Sequence, residues 1–284
     1  MNISLSKIAL GTAQFGFNYG VLNNSGQVHP DKVKSILDIA KNTSIDTLDT
    51  AAGYGNSEEV LGRAGVDNFK IVTKTRSIQL GVDNVLTSFE QSLEKLQVRS
   101  VDGLLVHNID DTQDKEFGTL YRELNGLKKD GLINKIGFST YTPEQVNFLL
   151  DNFDFDLIQV PFNVFDMRLV KGGQLQMLKN KMVEVHARSV FLQGVLLDFN
   201  NLPSYFSAWQ KEFKKYQAMV DSSGLSLLEY ALNFALNVKE LDKVVLGVDN
   251  IKHFADIINL PNTSFNLEAF DIDDTDLLNP SFWN

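Results

Sequence analysis

The chain has 284 residues, 43% of them hydrophobic, with 26 basic against 36 acidic side chains and no cysteine. A chain of this length buries a large core, while a net charge of −10 argues against the basic face that nucleic acid or an anionic membrane surface requires, though not against a local pocket for an anionic ligand. Disulfides, thiolate catalysis and Cys-ligated metals are excluded outright, and no metal-ligand set is expected.

In chain order, Met1–Ile8 lacks the basic stretch and long apolar run of a signal peptide. No uncharged apolar run approaches the roughly 20 residues of a membrane helix. A cytoplasmic protein is therefore the expectation. Ile8-Ala9-Leu10-Gly11 reads as a first strand, opening into a loop rich in Gly and aromatics, Thr12 to Gly20. Pro30 suits a first helical position, and Val33, Ile36, Leu37 and Ala40 follow at helical spacing. Ile45 to Leu48 is an apolar-alternating second strand that ends at Asp49. After it comes Asp49-Thr50-Ala51-Ala52-Gly53-Tyr54-Gly55-Asn56-Ser57-Glu58-Glu59, where Asn56 and Glu59 have the spacing of a capping box for a short helix over 57–64. Lys70–Lys74 is the third strand, and Val82, Val85, Leu86, Phe89, Leu93 and Leu96 mark the next helix.

Val101–Val106 is the fourth strand and ends at His107; Leu120, Leu124 and Leu127 mark a helix stopped by Asp130-Gly131. Ile133–Phe138 is the fifth strand, closed by Ser139-Thr140, and Thr142-Pro143 starts a helix with cap and proline in favoured places. Asp156–Val160 and Val183–Ala187 are the sixth and seventh strands, with one helix over 169–178 between them. A longer insertion covers 193–223, with Trp209, Phe213, Tyr216 and Val220 at helical spacing. A helix over 227–236, an eighth strand over 243–246, an eighth helix over 251–260 and an irregular tail over 261–284 complete the chain. Strand and helix alternate eight times, which predicts a (β/α)8 TIM barrel of α/β class. It forms one domain, 1–284, with the insertion and the tail over the barrel mouth.

Four functional side chains then fall at three consecutive strand ends: Asp49 and Tyr54, Lys74, and His107. Barrel strands alternate inward and outward. With Asp49, Lys74 and His107 inward, Thr47, Val72, Gly103 and Leu105 are inward too, and Leu48, Ile71, Thr73, Leu104 and Val106 face the helices. An isolated strand-end lysine or histidine is ordinarily structural; acid, base and phenol on adjacent strand ends suit protonation of a carbonyl oxygen. A Tyr hydroxyl ordinarily titrates near 10, and a neighbouring ammonium is expected to lower that value. Asp49 would hold Lys74 charged, and His107 would orient the carbonyl. No side chain is an obvious nucleophile towards the carbon, so a cofactor hydride is the natural source.

These stretches, with Leu61-Gly62, Val72-Thr73-Lys74 and Leu104-Leu105-Val106-His107, resemble the motifs of the aldo-keto reductase family, in order and over nearly the whole chain. The resemblance implies an NADP-dependent oxidoreductase reducing an aldehyde or ketone, with a catalytic tetrad of Asp49, Tyr54, Lys74 and His107. The implied cofactor is NADP(H), with NAD(H) as the alternative, bound across the barrel mouth. The resemblance places Ser139, Thr140 and Gln159 at the carboxamide, Ser189, Phe191, Leu192 and Gln193 at the pyrophosphate, and Arg188 where the family usually stacks a Tyr on the nicotinamide. Thr12 and Asp49 join the cofactor set, as do Gly247, His253 and Asp256 at the adenosine end.

Some positions depart from the family. Thr140 replaces an Asn, His253 and Ile257 do not match, and Asp249 adds negative charge near the adenosine. The segment before the first strand is short for the hairpin that usually plugs the barrel bottom. NADP(H) is therefore expected to have only a modest advantage over NAD(H), one that shrinks as His253 loses its proton. Two other readings stay open: a cofactor-binding regulatory subunit with little turnover, and a Schiff-base aldolase or isomerase using Lys74. The substrate is a small carbonyl compound, with sugar derivatives among the candidates. Phe15, Phe17, Tyr19, Trp209, Phe282 and Trp283 are candidate pocket aromatics. The sequence leaves the oligomeric state open.

Overall fold

The computed structural model describes residues 3–261, 263 and 267–283. Eight parallel strands close into a barrel in sequence order: β1 Ile8–Gly11, β2 Thr47–Asp49, β3 Lys70–Lys74, β4 Val101–Val106, β5 Ile133–Ser139, β6 Leu157–Pro161, β7 Glu184–Arg188 and β8 Lys243–Gly247. The helices are α1 Ala13–Gly16, α2 Pro30–Lys41, α3 Ser57–Ala64, α4 Val82–Leu96, α5 Phe117–Lys129, α6 Pro143–Asn152, α7 Arg168–Lys171, α8 Gln174–Asn180, α9 Gln210–Ser223, α10 Leu227–Leu236, α11 Ile251–Ile258 and α12 Thr275–Leu278. The expected (β/α)8 barrel is the observed fold.

The predicted alternation decides the packing. Val72, Leu105 and Leu157 form a small buried cluster of their own inside the barrel. Leu48, Ile71, Leu104 and Val106 belong to the larger core between strands and helices. Thr73 faces outward as expected and donates to Glu58 Oε1 of α3 at 2.7 Å. A Cβ on Gly103 would come within 2.9 Å of Leu157 Cδ2, so the missing side chain is what lets Leu157 fill the barrel interior.

The helix starts follow their capping chemistry where the backbone permits. Thr142 with Gln145 and Ser226 with Glu229 form full capping boxes for α6 and α10. The box expected from Asn56 and Glu59 is not formed. Asn56 has φ −101° and ψ 19°, outside the extended region from which a cap side chain reaches the helix N–H groups. Its Oδ1 accepts instead from Gln27 at 2.7 Å, and Glu59 pairs with Arg63. The helix expected over 169–178 is two, broken at Gly173, whose φ is 77°.

The insertion and the tail are bound to one another. Trp209 Nε1 donates to Asp274 Oδ2 at 2.8 Å, and Tyr205 Oη to the Asp276 carbonyl at 2.9 Å. Trp283 packs edge-on against Phe206 at 4.9 Å. The tail is less irregular than expected, since Asp274 caps α12 through the N–H groups of Asp276 and Leu277. Asn262, Ser264, Phe265, Asn266 and Asn284 of that expected tail lie outside the described residues.

Candidate active site

Asp49 and Lys74 are the last residues of β2 and β3 and are almost wholly buried. Lys74 Nζ donates to Asp49 Oδ1 at 2.8 Å, to Oδ2 at 2.9 Å and to the Thr50 carbonyl at 2.9 Å. These three bonds use all the protons of an ammonium. Gln159 on β6 donates to Asp49 Oδ2 at 2.6 Å. Lys74 Nζ lies 5.0 Å from the centre of the Tyr54 ring, and the His107 ring stands edge-on to Tyr54 at 5.9 Å. The four residues singled out from sequence are thus neighbours at one rim.

Tyr54 is placed by a backbone contact. Its loop crosses α1 so closely that a Cβ on Gly16 would fall 1.7 Å from the Tyr54 carbonyl oxygen. Gly55, with φ 55°, meets Gly16 from the other side. Only glycine takes both roles without strain. Ser57 fastens the same loop to the residue after β1 by donating to the Thr12 carbonyl at 2.9 Å.

Electrostatics correct one expectation. The Tyr54 phenol is not lowered on balance; burial pushes it well above its usual value, Asp49 pushes it further, and Arg188 opposes them. Burial lowers Lys74, with Asp49 opposing. Burial and then Lys74 bring His107 down to about 4, which leaves its ring neutral at neutral pH.

A cavity of about 430 Å³ opens beside these residues. Asp49, Tyr54, Gln159 and Thr12 line its barrel side. Arg188, Ser189, Phe191 and Gln193 line it from the segment after β7, and Gly247, His253 and Asp256 from β8 and α11. Ser189 and Gln193 have φ of 60° and 54°, a left-handed backbone that L residues adopt at a cost and that clusters at ligand sites. Three of the expected cofactor contacts, Ser139, Thr140 and Leu192, are not among the residues that line this cavity. The Leu192 side chain is buried in the core, and its N–H is bonded to the Ser189 carbonyl.

Ser139 and Thr140 sit at the neighbouring strand end, with Ser139 in register with Gln159. The Thr140 hydroxyl is buried without a hydrogen-bond partner among the described residues. Arg188 packs its guanidinium over the Tyr141 ring at 4.2 Å and donates to the Thr140 carbonyl at 2.9 Å.

The Aldo/keto reductase family model matches residues 7–278. The chain belongs to the aldo/keto reductase family. It is 31% identical over 200 residues to a glyoxal reductase of Bacillus subtilis (strain 168), covering 68% of this chain and 69% of that one. It spans 47% of the length of an aldo-keto reductase from Mycobacterium sp. (strain JLS), at 30% identity over 131 residues and 44% of this chain. The fold is similar to that of an aldo-keto reductase from Bacillus halodurans in its holo form, with TM-score 0.72 and 20% identity over 93% of this chain and 90% of that one.

Seen as an aldo/keto reductase, the chain brings up residues that its sequence did not mark. Gln14 fills the space beside Gly247, 2.4 Å from where a Cβ there would stand. Tyr141 carries Arg188, and Asn163 holds the turn after β7 by donating to the Ser189 carbonyl at 3.2 Å. None lies in a periodic pattern; each is brought in by tertiary structure. Of the candidate aromatics, Tyr19 lines the cavity and Phe17 packs on Tyr54 at 6.2 Å. Phe15 is core, Trp209 and Trp283 pack around Phe206, and Phe282 is exposed. Among the described residues no cluster of three His, Asp or Glu could hold a metal ion, and no helix is long and apolar enough to cross a membrane.

Proposed function

We propose that the protein reduces an aldehyde or ketone to an alcohol with a nicotinamide dinucleotide, Tyr54 acting as general acid. The observation that carries this reading is the saturated Lys74–Asp49 pair beneath the Tyr54 ring, with a neutral His107 at the ring's edge. A reduced nicotinamide, when bound, would supply a hydride to the carbonyl carbon. Tyr54 gives its proton to the carbonyl oxygen. An alkoxide is more basic than a phenolate, so the transfer runs downhill even from a raised phenol. Lys74 stabilises the phenolate left behind, and His107 donates a hydrogen bond that orients the oxygen. Asp49 and Gln159 hold Lys74 in place.

The residues present fit such a cofactor. A buried hydroxyl with no partner costs about 1–3 kcal/mol, and a carboxamide held by Ser139, Thr140 and Gln159 relieves the orphaned Thr140 Oγ1. Arg188 takes the place of the family's stacking ring, since a guanidinium stacks on ring faces as well. Thr12, Ser189, Phe191 and Gln193 supply the middle of the site, and Gly247, His253 and Asp256 its adenosine end. The reading accommodates NADP(H) or NAD(H). The insertion after β7 and the tail bound to it form the cover of the mouth in this reading. The substrate is a small carbonyl compound of the dicarbonyl or sugar class, and the setting is the cytoplasm.

A Schiff-base role for Lys74 finds no support, because its ammonium is buried and all three protons are bonded. The test is turnover of a panel of small aldehydes and keto-sugars with NADH and NADPH, beside a cofactor titration by fluorescence. Cofactor binding without turnover of any carbonyl would favour the regulatory-subunit reading. A borohydride-trapped adduct on Lys74 would favour the aldolase.

A further inference from the structure

The adenosine end of the cavity has a charge arrangement that the reductase reading leaves unexplained. Asp249 lines it, with Gly247, His253 and Asp256. Two of these four are carboxylates and none is Lys or Arg. Among the described residues lining the cavity, Arg188 is the one Lys or Arg, and it is held on β7 by the Thr140 carbonyl and Tyr141. Lys252, next to His253 in sequence, does not line the cavity.

We infer that this chain selects the unphosphorylated cofactor, NAD(H), with Asp249 as the residue that decides. The inference rests on the reading of the cavity as a dinucleotide site. A carboxylate accepts hydrogen bonds and donates none, so it pairs with the free 2′-hydroxyl of the adenosine ribose. A 2′-phosphate removes that donor and adds a charge of about −1.5 to −2 at neutral pH. A phosphate is ordinarily held by Lys or Arg, and this end offers carboxylates.

The remaining cation and the helix end do not offset this. His253 Nδ1 lies 3.6 Å from Asp249 Oδ2. A protonated His253 is therefore already opposite a carboxylate and presents little net positive charge to a third group. The N-terminus of α11 is a natural anion site, but Asn250 occupies part of it, accepting from the His253 N–H at 2.9 Å. Burial raises the Asp249 carboxyl against the lowering effects of His253 and of Gln14, which lies beside both Gly247 and Asp249. The expectation from family resemblance, a modest advantage for NADP(H) through His253, thus gives way to the opposite order, since it treated His253 without its partner.

The experiment is a pair of dissociation constants, for NADH and for NADPH, from isothermal titration calorimetry on the intact chain, repeated on Asp249→Asn and Asp249→Ser. The expected result is NADH binding at least about tenfold more tightly than NADPH, as like-charge juxtaposition at a site demands. In both variants that ratio falls severalfold, chiefly because NADPH binds more tightly. Equal or tighter binding of NADPH by the unmodified chain, or a ratio unchanged in both variants, would overturn the inference while leaving the dinucleotide site intact. Binding of neither nucleotide would overturn the reading of the cavity itself, and the inference with it.

Discussion

At the scale of single residues, the proposed chemistry turns on two rings. Tyr54→Phe keeps the ring over Lys74 and removes the proton donor. Turnover should fall by about 10²–10⁴-fold, the range of general acid catalysis, while the cofactor dissociation constant changes little; steady-state rates and a titration check both. Near-normal turnover would take the acid role from Tyr54. His107 makes a different prediction, about stability. Its folded value of about 4 lies below the ordinary value of roughly 6.5. Between those two values the unfolded chain binds more protons than the folded one, so stability is lost as pH falls through that window. His107→Gln has no such proton to bind. Its melting temperature should drop less than that of the unmodified protein between pH 7 and pH 5. Equal drops would mean that His107 titrates alike in both states.

At the scale of elements, the contact between α1 and the loop before α3 is the most exacting in the site. Gly16→Ala places a methyl where the Tyr54 carbonyl stands, so the loop must move. Displacements of about 1 Å at a reacting group can cost 10²-fold, and a loss of that order in turnover is expected while circular dichroism still reports an α/β protein. Full activity in Gly16→Ala would show that Tyr54 is placed by something else. This contact also marks what could be read in advance. The barrel was legible because each strand is a short apolar run of fixed parity and each long helix repeats its apolar face; Val72 and Leu105 fell inside and Leu104 outside as their positions demanded. The neighbouring strand ends of Asp49, Lys74 and His107 followed from the same alternation. The break at Gly173 did not, because a glycine within a helical pattern is tolerated as often as not. Neither did the raised Tyr54 phenol, the pairing of Asp249 with His253, nor Gln14 and Tyr141 at the cavity. Those depend on where loops from distant strands converge, which no local spacing encodes.

At the scale of the whole molecule, the two ends of the barrel do different work. The C-terminal ends of the strands carry the cavity, and the N-terminal ends carry ion pairs that close the other mouth. Lys135 on β5 bridges Asp102 at 2.8 Å and Glu184 at 2.7 Å, and Glu184 accepts from His186 Nε2 at 2.7 Å. Lys243 on β8 pairs with Asp46 at 2.5 Å. The first set ties β4, β5 and β7 together and the second ties β8 to the residue before β2, so they should act on global stability and not on turnover. The hydrogen bond with His186, then Lys135, brings Glu184 down to about 2, below the roughly 4.3 of an ordinary glutamate. A carboxylate lowered on folding contributes stability that is fully present above its unfolded value and lost as pH falls towards its folded one. Acid unfolding should therefore steepen between about pH 4.5 and pH 2. Glu184→Gln keeps the shape and removes the titration, so its unfolding free energy should be lower at pH 7 and vary less over that acid window, with kcat at pH 7 unchanged. Denaturant titrations at several pH values, read alongside kcat, check both halves. A variant that loses turnover but keeps the original acid slope would place Glu184 with the chemistry and not with the closure of the barrel.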